Sequence, residues 1–361
     1  MAKKNKYDIQ HRNNLRNYSQ QVEEIYEAAA VEAAAIGITI TNFNPDRPFS
    51  FADYPITKNR IDNLLKKVKK KIEAVIINGI KAEWELSNIK NDEIVKANIG
   101  RIWKGKRGAQ HIVRNSKRYF QNNENACEAF ITRKELGLKL SDRVWRYTYQ
   151  FKGEIEMGLD LGLREGKSAE EMGRDLRQYL QQPEQLYRRV RDEHGQLHLS
   201  KRAAAYHPGI GVYRSSRMNA LRLTRTEPNI AYRTADFTRW QQLDFVVGIE
   251  IITSNNHPCH DICDELQGRY PKDFKFTGWH PQCMCHAVAI LKTIEEMEAD
   301  NERILKGEQP VSESRNTVRN VPGQYKQWIA ENQERAKGWS SLPYFIRDNP
   351  QYAGLFFKRS V

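Results

Sequence analysis

Four of the chain's five cysteines and four of its nine histidines fall between His257 and His286. The window opens His257-Pro-Cys259-His260-Asp-Ile-Cys263, crosses a polar stretch, and closes Trp279-His280-Pro-Gln-Cys283-Met-Cys285-His286. Thiolates and imidazoles are the ligands of Zn²⁺, which binds four groups tetrahedrally with sulfur at about 2.3 Å and nitrogen at about 2.0 Å. Two close thiol pairs joined by a loop can reach that arrangement, although C-x3-C and C-x-C are not the C-x2-C knuckles of a zinc ribbon. Cys259, Cys263, Cys283 and Cys285 are the first ligand set. His280 or His257 can replace one of them, because a His-Pro step fixes the backbone just ahead of a ligand. His260 and His286 are expected beside the site or in solvent. Four thiolates would close the coordination shell and leave no position for an activated water, so the expected metal is a structural Zn²⁺.

Two other readings of the window stay open. A pair of disulfides would require an oxidising compartment, and the stretch Met1 to Asp8 lacks the apolar region of a secretory signal. Uncommitted buried thiols are the other, against which stands the gathering of four of the five cysteines in one window. Cys127, alone in Asn-Ala-Cys127-Glu-Ala-Phe, reads as a buried helix residue.

A chain of 361 residues can hold two or three modest domains, or one core with helical extensions. Its net charge of +13 makes polyanions, nucleic acid above all, the natural partners. The stretch Arg101 to Arg118 has no acidic residue and carries Arg101, Lys104, Lys106, Arg107, Arg114, Lys117 and Arg118, with Trp103, Tyr119 and Phe120 among or beside them. Lys66, Lys67 and Lys70 form a second basic face. These residues are the candidate phosphate contacts; a solvated basic helix face is the plainer reading. No apolar run approaches the length of a membrane span, so no membrane partner is expected.

The elements that must position these groups are mostly helical. Val22, Ile25 and the alanines to Ala35 predict a helix stopped by Gly37. Residues 43–56, with three prolines and four aromatics, predict a loop. Ile61, Leu64, Leu65, Val68, Ile72, Val75 and Ile76 then repeat at helical spacing. Val144, Tyr147, Phe151, Ile155, Leu159 and Leu163 mark another helix, ended by Gly166. Ser168-Ala-Glu-Glu171 is a capping box that opens the next one, which runs up to Pro183. Residues 183–212 read as an insertion or loop. Arg217 to Trp240 is helical, with a kink or restart expected at Pro228. Val246 to Ile251 and Ala287 to Leu291 predict strands, so the metal loop would clamp a small antiparallel sheet. The expected fold is therefore α+β, mostly helical, with that sheet held by a Cys/His knuckle. The charged segment 292–320 predicts a helix and then a linker, and Val321 to Ile329 the start of a short helix. The aromatic stretch 338–349 reads as an arm for a partner surface, or as a segment packed on its own domain.

Taken in order, the residues resemble a known family. A Gly-bounded helical corner precedes a helix bearing Arg225-Thr226-Glu227, then a short strand, then Asp-Ile-Cys263-Asp-Glu-Leu-x-Gly268, and finally His280-Pro-x-Cys283-x-Cys285. This is similar to the phage Mu protein F-like head morphogenesis family, the minor capsid proteins of tailed phages and prophages. The resemblance covers roughly residues 140–295. It implies that Arg225, Thr226 and Glu227 are a structural signature and that Cys263, His280, Cys283 and Cys285 form the metal knuckle, with Cys259 or His257 close enough to supply another ligand. Pro228 directly after the signature, and the length of 183–212, depart from the family pattern. The organisation implied is a helical region 1–135, a Mu F-like domain 140–295, and a charged linker with an aromatic arm 296–361. The role implied is structural and without catalysis: association with the portal protein, with scaffold or major capsid protein and with packaged DNA, in the host cytoplasm during assembly and then inside the virion. A metal-supported nuclease or toxin-like enzyme acting on nucleic acid is the alternative, and a zinc-knuckle DNA-binding regulator a third. No Walker loop, Gly-x-Ser-x-Gly or His-Glu-x-x-His motif accompanies the basic charge.

Overall fold

The computed structural model describes residues 5–183, 189–191, 193–199, 204–206, 208–209, 211–254, 260–339 and 341–354. Its helices are α1 (Lys6–Gly37), α2 (Pro55–Ile102), α3 (Lys106–Arg114), α4 (Ser116–Tyr119), α5 (Glu124–Thr132) and α6 (Leu140–Arg164). They continue with α7 (Ala169–Gln181), α8 (Ser216–Gln242), α9 (Ile262–Glu265), α10 (Ile294–Leu305), α11 (Gly323–Ala336) and α12 (Tyr344–Arg347). Strands β1 (Arg189–Arg191) and β2 (Leu197–Leu199) form a hairpin. Strands β3 (Val246–Ile252), β4 (Gly268–Tyr270) and β5 (His286–Leu291) form an antiparallel sheet in the order β4-β3-β5. The fold is thus mostly helical with a small antiparallel sheet, as the patterning predicts.

The compact units do not follow the expected consecutive segments 1–135, 140–295 and 296–361. Unit 1 gathers residues 1–13, 80–130 and 226–361, and unit 2 gathers 14–79 and 131–225. Helices α1, α2, α5 and α8 contribute residues to both, which a reading by consecutive stretches cannot foresee.

Unit 2 is helical. The alanine run of α1 buries Ala29, Ala30, Ala33 and Ala34, and small side chains let neighbouring backbones approach. On α7, a Cβ at Gly173 would already lie 3.6 Å from that of Ala34. Helix α6 buries Val144, Phe151, Ile155 and Leu159 at helical spacing, with Phe151 edge-on to Tyr26 at 5.2 Å. The capping box starts α7 as expected: Glu171 N–H donates to Ser168 Oγ (3.2 Å), and Ser168 N–H to Glu171 Oε2 (2.9 Å). The hairpin β1–β2 lies within the segment expected to be a loop.

Unit 1 holds the sheet. Central strand β3 pairs Ile249 with Tyr270 of β4 and with Ala289 of β5. Strand β4 is too short to show any alternation in the sequence, and it was not expected. Tyr270, Phe274, Trp279, Tyr325 and Phe345 pack around the sheet as one aromatic cluster. The aromatic tail is part of this core and not an outward arm. Phe345 and Ile346 are fully buried, and Asn349 exchanges hydrogen bonds with the Lys275 backbone (2.6 and 2.9 Å). Pro228 does not restart α8, which runs unbroken through it. The cost falls on one backbone bond, the one the Thr224 carbonyl would otherwise accept.

His111 sits in an apolar slot of unit 1, with its ring 4.9 Å from Trp103 and 6.0 Å from Tyr119. Among the described residues neither ring nitrogen has a hydrogen-bond partner. Burial, reinforced by the nearby Arg114 charge, lowers its pKa below the ordinary histidine value. The unfolded ring gains a proton as pH drops below about 6.5, while the folded ring resists it, so this residue subtracts stability on the acid side. His111→Phe is expected to raise the stability of unit 1 at neutral pH by about 1–3 kcal/mol, the cost of an unpaired buried polar group. The gain should widen between neutral pH and pH ~5.5 in denaturant titrations. Parallel stability–pH curves for the two proteins would refute the assignment.

Candidate metal centre

The metal loop runs between β3 and β5, and local capping sets its first thiol. Asp261 caps α9: its Oδ1 accepts the Cys263 N–H (2.7 Å), and Asp264 Oδ2 accepts the Asp261 N–H (3.0 Å). The second half is a tight turn, His280-Pro281-Gln282-Cys283, closed by the Cys283 N–H on the His280 carbonyl (3.1 Å). Proline presets the second position and Gln282 takes a positive φ of 62° at the third, the requirement of a type II turn. A side chain other than Gly or Asn is strained there, and the loop holds it in place.

These two devices bring Cys263, Cys283 and Cys285 together, all buried, with their sulfurs within 4.8 Å of one another. The Cys263 and Cys283 sulfurs are 3.8 Å apart. A disulfide needs about 2.05 Å. Two thiolates bound tetrahedrally to one zinc stand about 3.8 Å apart, from Zn–S bonds of about 2.3 Å. All three cysteines are free thiols, so the disulfide reading does not apply to them.

His280 joins the cluster at one corner. Its Nε2 lies 3.1 Å from Cys263 Sγ and 3.6 Å from Asp261 Oδ2. Its Nδ1 is 2.8 Å from the Pro281 carbonyl, which can only accept. The proton therefore belongs on Nδ1, leaving the Nε2 lone pair toward the thiols, the tautomer that a metal-binding imidazole needs. Asp261, Cys263 and His280 form a second group of possible ligands that shares Cys263 with the first. Cys259 and His257 lie outside the described residues. His260 is exposed, and His286 begins β5 opposite Ile252.

The three thiols hold their protons unevenly, with Cys283 lowered and Cys263 and Cys285 raised. Hydrogen bonds from Cys263 and then Cys285, with the Arg233 charge, hold Cys283 well below the usual thiol range despite its burial. Cys263 is pushed up, chiefly by its bonds to Cys283 and Cys285 and by burial. A cation bound here would replace those shared protons, and soft thiolates suit zinc-type ions.

Arg233 of α8, which sequence reasoning did not single out, underpins the loop. It is 6% exposed, and its guanidinium donates to the carbonyls of Thr277 (2.8 Å), Cys283 (2.6 Å) and Cys285 (2.6 Å). Gly278, at φ +127°, makes room for it, since a Cβ there would stand 2.6 Å from Arg233 Nη1. One turn earlier, Asn229 donates to the Cys283 carbonyl (2.7 Å). Its Oδ1 faces His11 Nε2 (3.0 Å), whose other nitrogen meets the buried Glu83 carboxylate at 2.5 Å. Asn229 and Arg233 are four residues apart and so share one face of α8.

The remaining predicted residues are dispersed. Arg225 Nε donates to Ser19 Oγ in unit 2 (2.8 Å), whereas Thr226 and Glu227 are buried in unit 1. Lys66, Lys67 and Lys70 are exposed on α2 in unit 2, with Lys67 3.7 Å from Glu32. Arg101, Lys104, Lys106, Arg107, Arg114 and Lys117 are exposed in unit 1. Arg107 pairs with Glu302, and Arg118 with Asp244. The basic stretch is thus partly committed to intramolecular pairs. No helix among the described residues is long and apolar enough to cross a membrane. Compared with known protein families, curated proteins and solved structures, the chain matches none.

Proposed function

We propose that the chain is a minor capsid, head morphogenesis protein of a tailed phage or prophage, and that its cluster holds one structural Zn²⁺. The observation that carries the reading is the meeting of Cys263, Cys283 and Cys285, with His280 beside them, between two strands that follow the Arg225-Thr226-Glu227 helix. These are the four knuckle residues that the resemblance picks out. A metal tied into a loop this way stabilises a small sheet and needs no open coordination position. On this reading the protein acts by occupying a place at the portal, among scaffold or major capsid protein and packaged DNA, in the virion and earlier in the host cytoplasm. Contact with duplex DNA would be electrostatic and indifferent to sequence, through Lys66, Lys67, Lys70 and the exposed cations between Arg101 and Lys117.

The test has two arms. Purified particles from the same genome are analysed by mass spectrometry for this chain. Purified protein is also mixed with the cognate portal and, separately, with DNA and RNA plus Mg²⁺, Mn²⁺ or Zn²⁺. Presence in particles and portal binding without cleavage are the expected results. Absence from particles, together with metal-dependent cleavage lost in His280→Ala, would overturn the proposal in favour of a nuclease.

A further inference from the structure

We propose that unit 2 binds single-stranded nucleic acid on the face of α6 that carries Trp145 and Tyr149. The inference uses neither the metal centre nor the capsid reading. Large aromatic side chains normally bury their rings, yet Trp145 is 37% and Tyr149 59% exposed, and their spacing of four residues places them on one side of the helix. Their ring centroids are 6.1 Å apart.

A third exposed ring stands on a segment that Gln150 of α6 ties to this helix. Tyr213, 39% exposed, rises from a backbone fixed on both sides. Its carbonyl accepts from Gln150 Nε2 (3.0 Å) and Asn219 Nδ2 (2.7 Å), and its N–H donates to Asn219 Oδ1 (2.9 Å). The Tyr213 backbone is therefore held in place, which limits the ordering that binding would require there.

Cations are interleaved with the rings. The Arg222 guanidinium lies 5.0 Å from the Tyr213 centroid, and Lys152 Nζ, itself paired with Asp62, 5.9 Å from that of Tyr149. Exposed Arg146 lines an open groove of about 430 Å³ together with Tyr149 and Lys152. Glu156 also lines that groove and accepts the Phe51 N–H (3.2 Å), a bond that leaves its negative charge in place. Flat apolar faces alternating with positive charge match a strand whose bases are free to stack and whose phosphates run alongside. Duplex DNA answers the cations alone, because its bases are already stacked on each other.

The experiment uses the full chain and fluorescence anisotropy with labelled oligo-dT, oligo-rU and a duplex of equal length. Both single strands, or one of them, should bind more tightly than the duplex, and the better of the two identifies DNA or RNA as the source. Replacing Trp145 and Tyr149 by leucine should weaken single-strand binding by about tenfold or more while leaving the salt dependence unchanged. Arg146→Gln should instead lower the slope of log affinity against log salt by about 0.7. These side chains are exposed, so circular dichroism of the variants should match the wild type. A leucine variant that binds single strands undiminished, or that loses duplex binding to the same extent as single-strand binding, would overturn the proposal.

Discussion

Replacing Cys283 and Cys285 together by serine is expected to abolish metal binding and unfold the sheet of unit 1, while unit 2 keeps its structure. Serine is nearly isosteric, so the loss is one of ligand chemistry and not of volume. Both thiols are 1% exposed, and the hydroxyls that replace them cannot close a thiolate shell. The effect is large because a structural zinc contributes about 10–16 kcal/mol to the folding of small zinc-supported domains. An ordinary domain has about 5–15 kcal/mol of stability in total. Strand β3 is flanked by β4 inside the metal loop and by β5 immediately after it, so loosening the loop removes both neighbours at once. Unit 2 buries its own core, with Tyr26, Phe151, Ile155 and Leu159 among its members, and should retain protection in α6 and α7. Metal analysis and amide hydrogen exchange read the two halves of the prediction separately. A wild-type protein with well under one equivalent of zinc, or a double variant with unchanged protection in β3 and β5, would refute it. Acid should reproduce the effect, because Cys263 must lose a proton to bind metal and its pKa is raised in the free cluster. Metal retention therefore falls as pH falls.

How far the sequence made this architecture legible depends on whether the information is local. The capping box at Ser168, the α6 stripe and the strands at β3 and β5 follow from patterns confined to a dozen residues, and the structure contains them. Thiol spacing likewise located the metal loop and three of its candidate ligands. Non-local packing was out of reach. Residues 338–349 look like an arm because they are aromatic and irregular, but what decides their position is the Asn349 exchange with Lys275 and the contact of Phe345 with Trp279 at 5.2 Å. Pro228 signals an interruption in any isolated helix. In α8 the flanking turns bury Thr224, Ala231 and Tyr232, and that packing holds the element continuous. The interleaved units escape for the same reason, since α1, α2 and α8 each serve two cores while showing one unbroken periodicity.

Arg233→Met should be the most damaging single change outside the candidate ligands. Methionine fills much of the same space and preserves contact with Phe276, over whose ring the guanidinium lies at 5.0 Å. It donates nothing, so the carbonyls of Thr277 and Cys285 lose the bonds given by Arg233, and Cys283 keeps only the one from Asn229. Each buried polar group left unpaired costs about 1–3 kcal/mol, and the sum over the loop is about 3–5 kcal/mol. Metal affinity should drop by about 10–100-fold, the usual consequence of removing a group that orients the ligands from behind. Arg233→Lys is a sharper probe, because it keeps the charge and loses the fork. One ammonium on a flexible stem cannot span three carbonyls from the position that Gly278 leaves open, so the lysine variant should recover only part of the loss. If charge alone mattered, through its pull on the Cys283 thiol, lysine would restore wild-type retention in a chelator competition, and the orienting role of the guanidinium fork would be refuted.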